Sequence, residues 1–199
     1  MNPEIIYCEQ RSDEWFRARL GIVTASHFSD VLNKGSGRKT YMMKLLAEIN
    51  TGEPEIEYHN KFMDNGIETE PLAMEYYEGL KKVKIERVGF VRFGEIGASP
   101  DGLIGSDGGL EIKCPIPSTH LGYIIDGKLP TKYAPQVQGS MLVTGRNWWD
   151  FLSFNPLCKP AHWCIRVKRD EQYINKLREA CELFIFELKA LKQKIEVPF

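Results

Sequence analysis

The run Ser99-Pro100-Asp101-Gly102, followed after eight intervening residues by Glu111-Ile112-Lys113, constrains this chain more than any other stretch. It reads as a β-hairpin spanning Leu103 to Cys114, with Asp101 at the end of the preceding strand and a turn segment from Gly102 to Gly109. Side chains alternate along a strand, so Glu111 and Lys113 share one face. An acid two positions from a lysine is usually a solvated pair. Here Leu110, Ile112 and Cys114-Pro115 surround the two charges, which argues for a buried strand. Buried charges need partners or a metal. If the hairpin closes, Asp101 and Glu111 can share a divalent cation, and Lys113 points into the same pocket. That set suits phosphodiester hydrolysis.

Composition narrows the alternatives. The 199 residues, 43% hydrophobic and 27% charged, fit a single globular domain over residues 1–199. No apolar run approaches a membrane span, and the N-terminus lacks a signal-peptide layout. This predicts a cytoplasmic protein with no membrane partner. Cys8, Cys114, Cys158, Cys164 and Cys181 are odd in number and form no Cys-x-x-Cys pair. That predicts a reducing compartment and argues against a zinc or iron–sulfur site. His27, His59, His120 and His162 show no ligand spacing. The net charge of -1 argues against tight non-specific DNA binding by one subunit.

The periodicity predicts helices over Asp13–Leu20, over Ala25–Leu32 capped by Thr24, and over Tyr41–Ile49 after a flexible break at Gly35-Ser36-Gly37. Glu53 to His59 reads as loop. A longer helix runs from Lys61 to Tyr77 and ends near Gly79. Strands are predicted at Val83–Val88, Phe90–Phe93 and Ile96–Ser99, then the hairpin. Helices at His120–Asp126 and Tyr133–Val143 follow, then strands at Trp148–Phe154 and His162–Val167. A final helix, Glu171–Lys194, is capped by Asp170, with Tyr173, Leu177, Cys181, Phe184, Leu188 and Leu191 as its buried stripe. The fold class is α/β (α+β), a mixed central sheet flanked by helices.

Pro100-Asp101 with Glu111-Ile112-Lys113 resembles the Pro-Asp…Asp/Glu-x-Lys signature of the restriction-endonuclease-like nucleases. The wider pattern is similar to the lambda-exonuclease-like viral recombinase family. Its motifs are matched by Arg19-Leu20-Gly21-Ile22-Val23-Thr24-Ala25-Ser26, Gly66-Ile67-Glu68-Thr69-Glu70, Ser99 to Leu103, Leu110 to Pro115, and Tyr133-Ala134-Pro135-Gln136-Val137-Gln138. Order and spacing hold from Trp15 to Asp170.

The resemblance implies a restriction-endonuclease-like fold and roles residue by residue. Asp101, Glu111 and the Ile112 carbonyl would hold two Mg²⁺ ions, for which Mn²⁺ can substitute, and Glu70 would complete the second ion's shell. Lys113 would orient or help deprotonate the attacking water, and Gln136 would support the site. Gln138 lies two residues on and turns elsewhere on a helix. Arg19, Ser26 and Ser99 match the positions of a pocket for a terminal 5′ phosphate. Arg38 is a further candidate DNA contact, although its loop departs from the family pattern. Met63 falls where the family places an apolar wedge. The activity implied is 5′ to 3′ digestion of double-stranded DNA ends, with a homotrimeric ring and a single-strand annealing recombinase as partners. The alternatives are an endonuclease on the same fold and a non-catalytic DNA-end-binding module.

Overall fold

The computed structural model describes residues 2–55 and 61–196, and of residues 61–67 only the backbone. Two mixed sheets carry the fold. The first has the order β1 (Glu4–Ile6), β4 (Phe90–Phe93), β5 (Ile96–Ala98), β2 (Val23–Thr24). The second has the order β3 (Ile85–Glu86), β6 (Gly102–Ile104), β7 (Gly108–Lys113), β8 (Trp148–Phe154), β9 (His162–Lys168). β7 is central, antiparallel to β6 and parallel to β8.

Helices cover both faces of this second sheet. On one face α6 (Ala134–Thr144) packs against β8 and against β4 and β5 of the first sheet. Around it gather α2 (Phe28–Leu32), α3 (Ser36–Thr51) and α7 (Glu171–Ile195). Their apolar side chains join Trp149 and Phe151 in the larger core. On the other face α4 (Lys61–Lys81) lays Ala73, Met74 and Tyr77 against Leu110, Ile112 and Leu152. Strand β7 is therefore buried on both sides, which fits its apolar flanks. Gly108 and Gly109 begin it because nothing larger fits. A Cβ at either would lie 2.0 Å and 2.2 Å from the rings of Trp148 and Trp149, the residues opposite them on β8.

The predicted hairpin forms, but its turn is shorter than expected. Residues 102–104 continue as β6, so the turn is residues 105–107 and Asp101 precedes a strand instead of ending one. Ala25–Leu32 is not one capped helix. Ala25–His27 is a 3-10 turn, α2 begins at Phe28, and the Thr24 side chain makes no cap bond. Instead its hydroxyl lies 3.2 Å from Ser26 Oγ and 3.4 Å from the Tyr41 hydroxyl. The break at Gly35-Ser36-Gly37 narrows to Gly35, since α3 starts at Ser36. α4 runs through Gly79 to Lys81, and Lys82 after it takes a left-handed φ of 55°. Val83–Val88 yields only the two residues of β3. Of the predicted 53–59 loop, residues 56–59 lie outside the described residues.

α5 occupies Pro117–Asp126 and so starts three residues before the predicted His120, with Pro117 in its first turn, where a missing N–H is tolerated. Elsewhere the boundaries agree closely: α1 (Asp13–Arg19) is capped by Ser12, and Asp170 accepts bonds from Gln172 N and Tyr173 N at the start of α7. The α7 stripe gains Ile174, fully buried, while Tyr173 and Leu191 are only partly covered.

Candidate active site

The site grows out of β7 where β6 stops. Pairing between the two ends at Gly102 opposite Leu110, so the edge of β7 beyond Leu110 lacks that strand. The Ile112 N–H turns to a side chain instead, and donates to Asp101 Oδ2 at 2.5 Å. N–H and C=O of one residue leave the same edge of a strand, so the Ile112 carbonyl faces that edge too.

Glu111 is the buried center, with 2% of its side chain exposed. Its Oε1 receives Lys113 Nζ at 2.5 Å and the Gln136 amide at 2.6 Å. Its Oε2 is buried with no hydrogen-bond partner. Gln136 reaches it from the first turn of α6. Gln138 points elsewhere, donating to the Lys168 carbonyl and accepting from Asp170 N, and so ties α6 to the start of α7.

Electrostatics follow from this crowding. Burial raises the Asp101 carboxyl well above its ordinary value, and Glu111 and Glu70 push it further, against the opposing pull of Lys113 and the Ile112 N–H. Burial alone would lower Lys113. The Glu111 and Asp101 carboxylates more than offset that, so its ammonium is held above the usual lysine value. Lys113 also lies 5.3 Å from the centroid of the Tyr133 ring. Burial lifts the neighboring Cys114 thiol to about 12, with Glu70 and Asp101 adding to the shift, so it is a poor nucleophile.

Asp101, Glu111 and the Ile112 carbonyl are hard oxygen donors of the kind Mg²⁺ takes. Glu111 Oε2 has no hydrogen-bond partner and Asp101 stays elevated despite the pull of Lys113, so the donor set fits a divalent cation. The expected three-acid cluster is not preassembled. Among the described residues no three His, Cys, Asp or Glu side chains form a group able to hold an ion. Glu70 instead faces Arg11, whose guanidinium is 3.6 Å away.

A second group lies beside the first. Ser99 Oγ accepts from Arg19 at 2.8 Å and from Trp15 Nε1 at 2.9 Å, and keeps its own O–H to donate. The Arg19 guanidinium stacks 4.0 Å above the Trp15 ring. Arg19 and Ser26 line one cavity of about 360 Å³, along with Arg11, Lys44 and Glu48. An arginine fork with hydroxyls beside it can receive a phosphate.

Two sequence candidates stand apart from these groups. Arg38 pairs with Glu187 at 2.6 Å and lies 5.0 Å from the Phe184 ring, tying α3 to α7. Met63 falls within α4 but outside the described side chains. The sequence reading missed Arg11, Trp15 and Tyr133. Trp15 reads as helix core until its indole N–H is seen on Ser99. Tyr133 stands three residues before Gln136, a spacing that would have pointed to it.

Residues 14–147 match the family described as the YqaJ-like viral recombinase domain. An alkaline exonuclease from Laribacter hongkongensis, LHK-Exo, is 38% identical and superposes with a TM-score of 0.89, over 93% of this chain and 96% of that one. A structure of LHK-Exo in complex with dAMP is similar to the same extent. A phage-related exonuclease from Haemophilus somnus 129PT shares the fold, with a TM-score of 0.70 at 14% identity over 88% of this chain and 96% of that one. No curated protein sequence matches the chain.

Proposed function

The chain belongs to the YqaJ-like viral recombinase family and has the restriction-endonuclease-like fold, and from that premise we propose that it is a Mg²⁺-dependent exonuclease of double-stranded DNA ends. It digests one strand 5′ to 3′ and leaves a 3′ single-stranded tail for recombination by strand annealing. The observation that carries this reading is the buried Glu111, bonded to Lys113 and Gln136 beside an Asp101 fixed on the Ile112 N–H.

Asp101, Glu111 and the Ile112 carbonyl would hold the divalent cations, and Glu70, now 3.6 Å from Arg11, would complete their shell. Two bound ions would supply charge stabilization at the attacking and leaving oxygens of an in-line displacement. Lys113 orients the attacking water or helps to deprotonate it, and in the protein alone its paired carboxylates favor the ammonium. Gln136 fixes the Glu111 carboxylate. Arg19, Ser99 and Ser26 seat the terminal 5′ phosphate ahead of the scissile bond. The relative bound to dAMP supports a site sized for one nucleoside monophosphate.

The remaining parts of the reading come from the family resemblance. A subunit of net charge -1 has little electrostatic hold on DNA. A closed homotrimeric ring would retain its substrate by topology, and a single-strand annealing protein would take up the tail. No described helix is long and apolar enough to cross a membrane, and all five cysteines are free.

Incubation with linear and covalently closed circular duplex tests the reading. Linear duplex is expected to be consumed in Mg²⁺ and spared in EDTA, with the circle untouched in both. Cutting of the circle would favor an endonuclease. Binding of ends without digestion would favor a non-catalytic module.

A further inference from the structure

Arg11 is one of two non-glycine residues with a left-handed backbone among the described residues, at φ 71°. Side chains with a Cβ rarely adopt that conformation, and where they do a function often holds them there. The residue sits in a turn closed by Ser12 N and Ser12 Oγ, which both donate to the Glu9 carbonyl. The turn is anchored to the site itself. Gln10 donates to the Pro100 carbonyl at 2.9 Å and to the Val88 carbonyl at 3.3 Å, and Pro100 immediately precedes Asp101.

From this turn the Arg11 side chain serves two neighborhoods. It lines the cavity of Arg19 and Ser26, and it faces Glu70. The separation of 3.6 Å from Glu70 is too long for a hydrogen bond, and 44% of the Arg11 side chain is exposed. Such a pair holds weakly. A phosphate offers the guanidinium a stronger, two-pronged partner.

We infer that Arg11 is a phosphate-binding residue for the strand end, standing between the pocket of Arg19 and Ser26 and the Glu70 carboxylate. The inference rests on the nuclease reading and adds a substrate contact to it. Taking up the phosphate costs Arg11 only its loose pair, and the Glu70 carboxylate so released is available to a cation.

The test measures equilibrium binding of a 5′-phosphorylated blunt duplex in Ca²⁺ across a salt series, alongside thermal unfolding. Arg11→Gly is the informative variant, because glycine takes a positive φ without strain. Its unfolding midpoint is expected to equal or exceed that of the wild type. Its affinity is expected to fall about tenfold, the scale of one charge-assisted hydrogen bond, and its salt slope to become shallower by about one phosphate. Arg11→Lys should restore the slope. An Arg11→Gly protein with wild-type affinity and slope overturns the inference, whatever its turnover does. If Arg19→Ala weakens binding in the same assay while Arg11→Gly does not, the nuclease reading stands and Arg11 is removed from it. A wild-type protein that binds no duplex end defeats the nuclease reading itself.

Discussion

Glu111→Gln is expected to lower the rate of duplex digestion at least about 10³-fold, a loss of about 4 kcal/mol in barrier stabilization, while the protein stays folded. The substitution keeps the shape of the side chain and removes its charge. That charge is the partner of Lys113 at 2.5 Å, and its buried Oε2 is the oxygen left open for a cation. Both functions vanish together. Gln136→Ala removes only the amide that holds Glu111 Oε1, so a milder loss of about 10- to 100-fold is expected, as for other groups that orient a metal ligand. Steady-state digestion of linear duplex, with circular dichroism to confirm folding, checks both. A Glu111→Gln enzyme within tenfold of wild type would remove Glu111 from the chemistry.

The second large effect concerns stability on the opposite face of the same sheet. Asp150 is buried, with 2% of its side chain exposed, and accepts two bonds from Arg166 at 2.8 Å and 3.0 Å and one from the Tyr77 hydroxyl at 2.6 Å. It thereby ties β8 to β9 and to α4. Burial, and then Asp150, push the Tyr77 phenol far above its ordinary value. Asp150→Ala would leave the phenol without its acceptor and the guanidinium without its counter-charge. Breaking a buried pair typically costs about 3–5 kcal/mol. Arg166 is half exposed and can turn to solvent, which places the expected loss near the lower bound, at about 3 kcal/mol. Tyr77→Phe removes a single hydrogen bond and should cost about 1–2 kcal/mol. Urea unfolding measures both. A change under about 0.5 kcal/mol for Asp150→Ala would show that the ion pair does not hold the sheet to α4.

These two acids show how far the sequence could be read. Glu111 was legible because apolar neighbors on both sides imply a buried strand, and a buried acid must have partners. The same argument applies to Asp150, which lies between Trp149 and Phe151, yet no motif drew attention to it. The long helices and the hairpin were legible from periodicity and spacing, and helix geometry separated Gln138 from the Gln136 that the resemblance named. The short elements were not. Thr24 looks like a helix cap by residue type, but tertiary contacts with Ser26 and Tyr41 take its hydroxyl. Gly102 looks like a turn residue, but it lies opposite Leu110 as the first residue of β6. Arg11 gave no signal at all, because a left-handed backbone is a property of the folded turn.

The candidate site was legible as a set of residues, though not in its state of assembly. The hairpin suggests that Asp101 and Glu111 share an ion, and the family resemblance adds Glu70. In the fold Glu111 is taken up by Lys113 and Gln136, and Glu70 by Arg11. Ordinary electrostatics accounts for the difference: each carboxylate engages the nearest cation or donor that the chain itself supplies.

Strand polarity tests the account most directly. Linear duplex labeled at one 5′ end, or at the 3′ end of the same strand, would be digested in Mg²⁺ and the products sized over time. The account predicts that the 5′ label leaves first as a mononucleotide, while the 3′ label stays in polymeric DNA. Early release of the 3′ label, or the appearance of internal fragments before any mononucleotide, would contradict it.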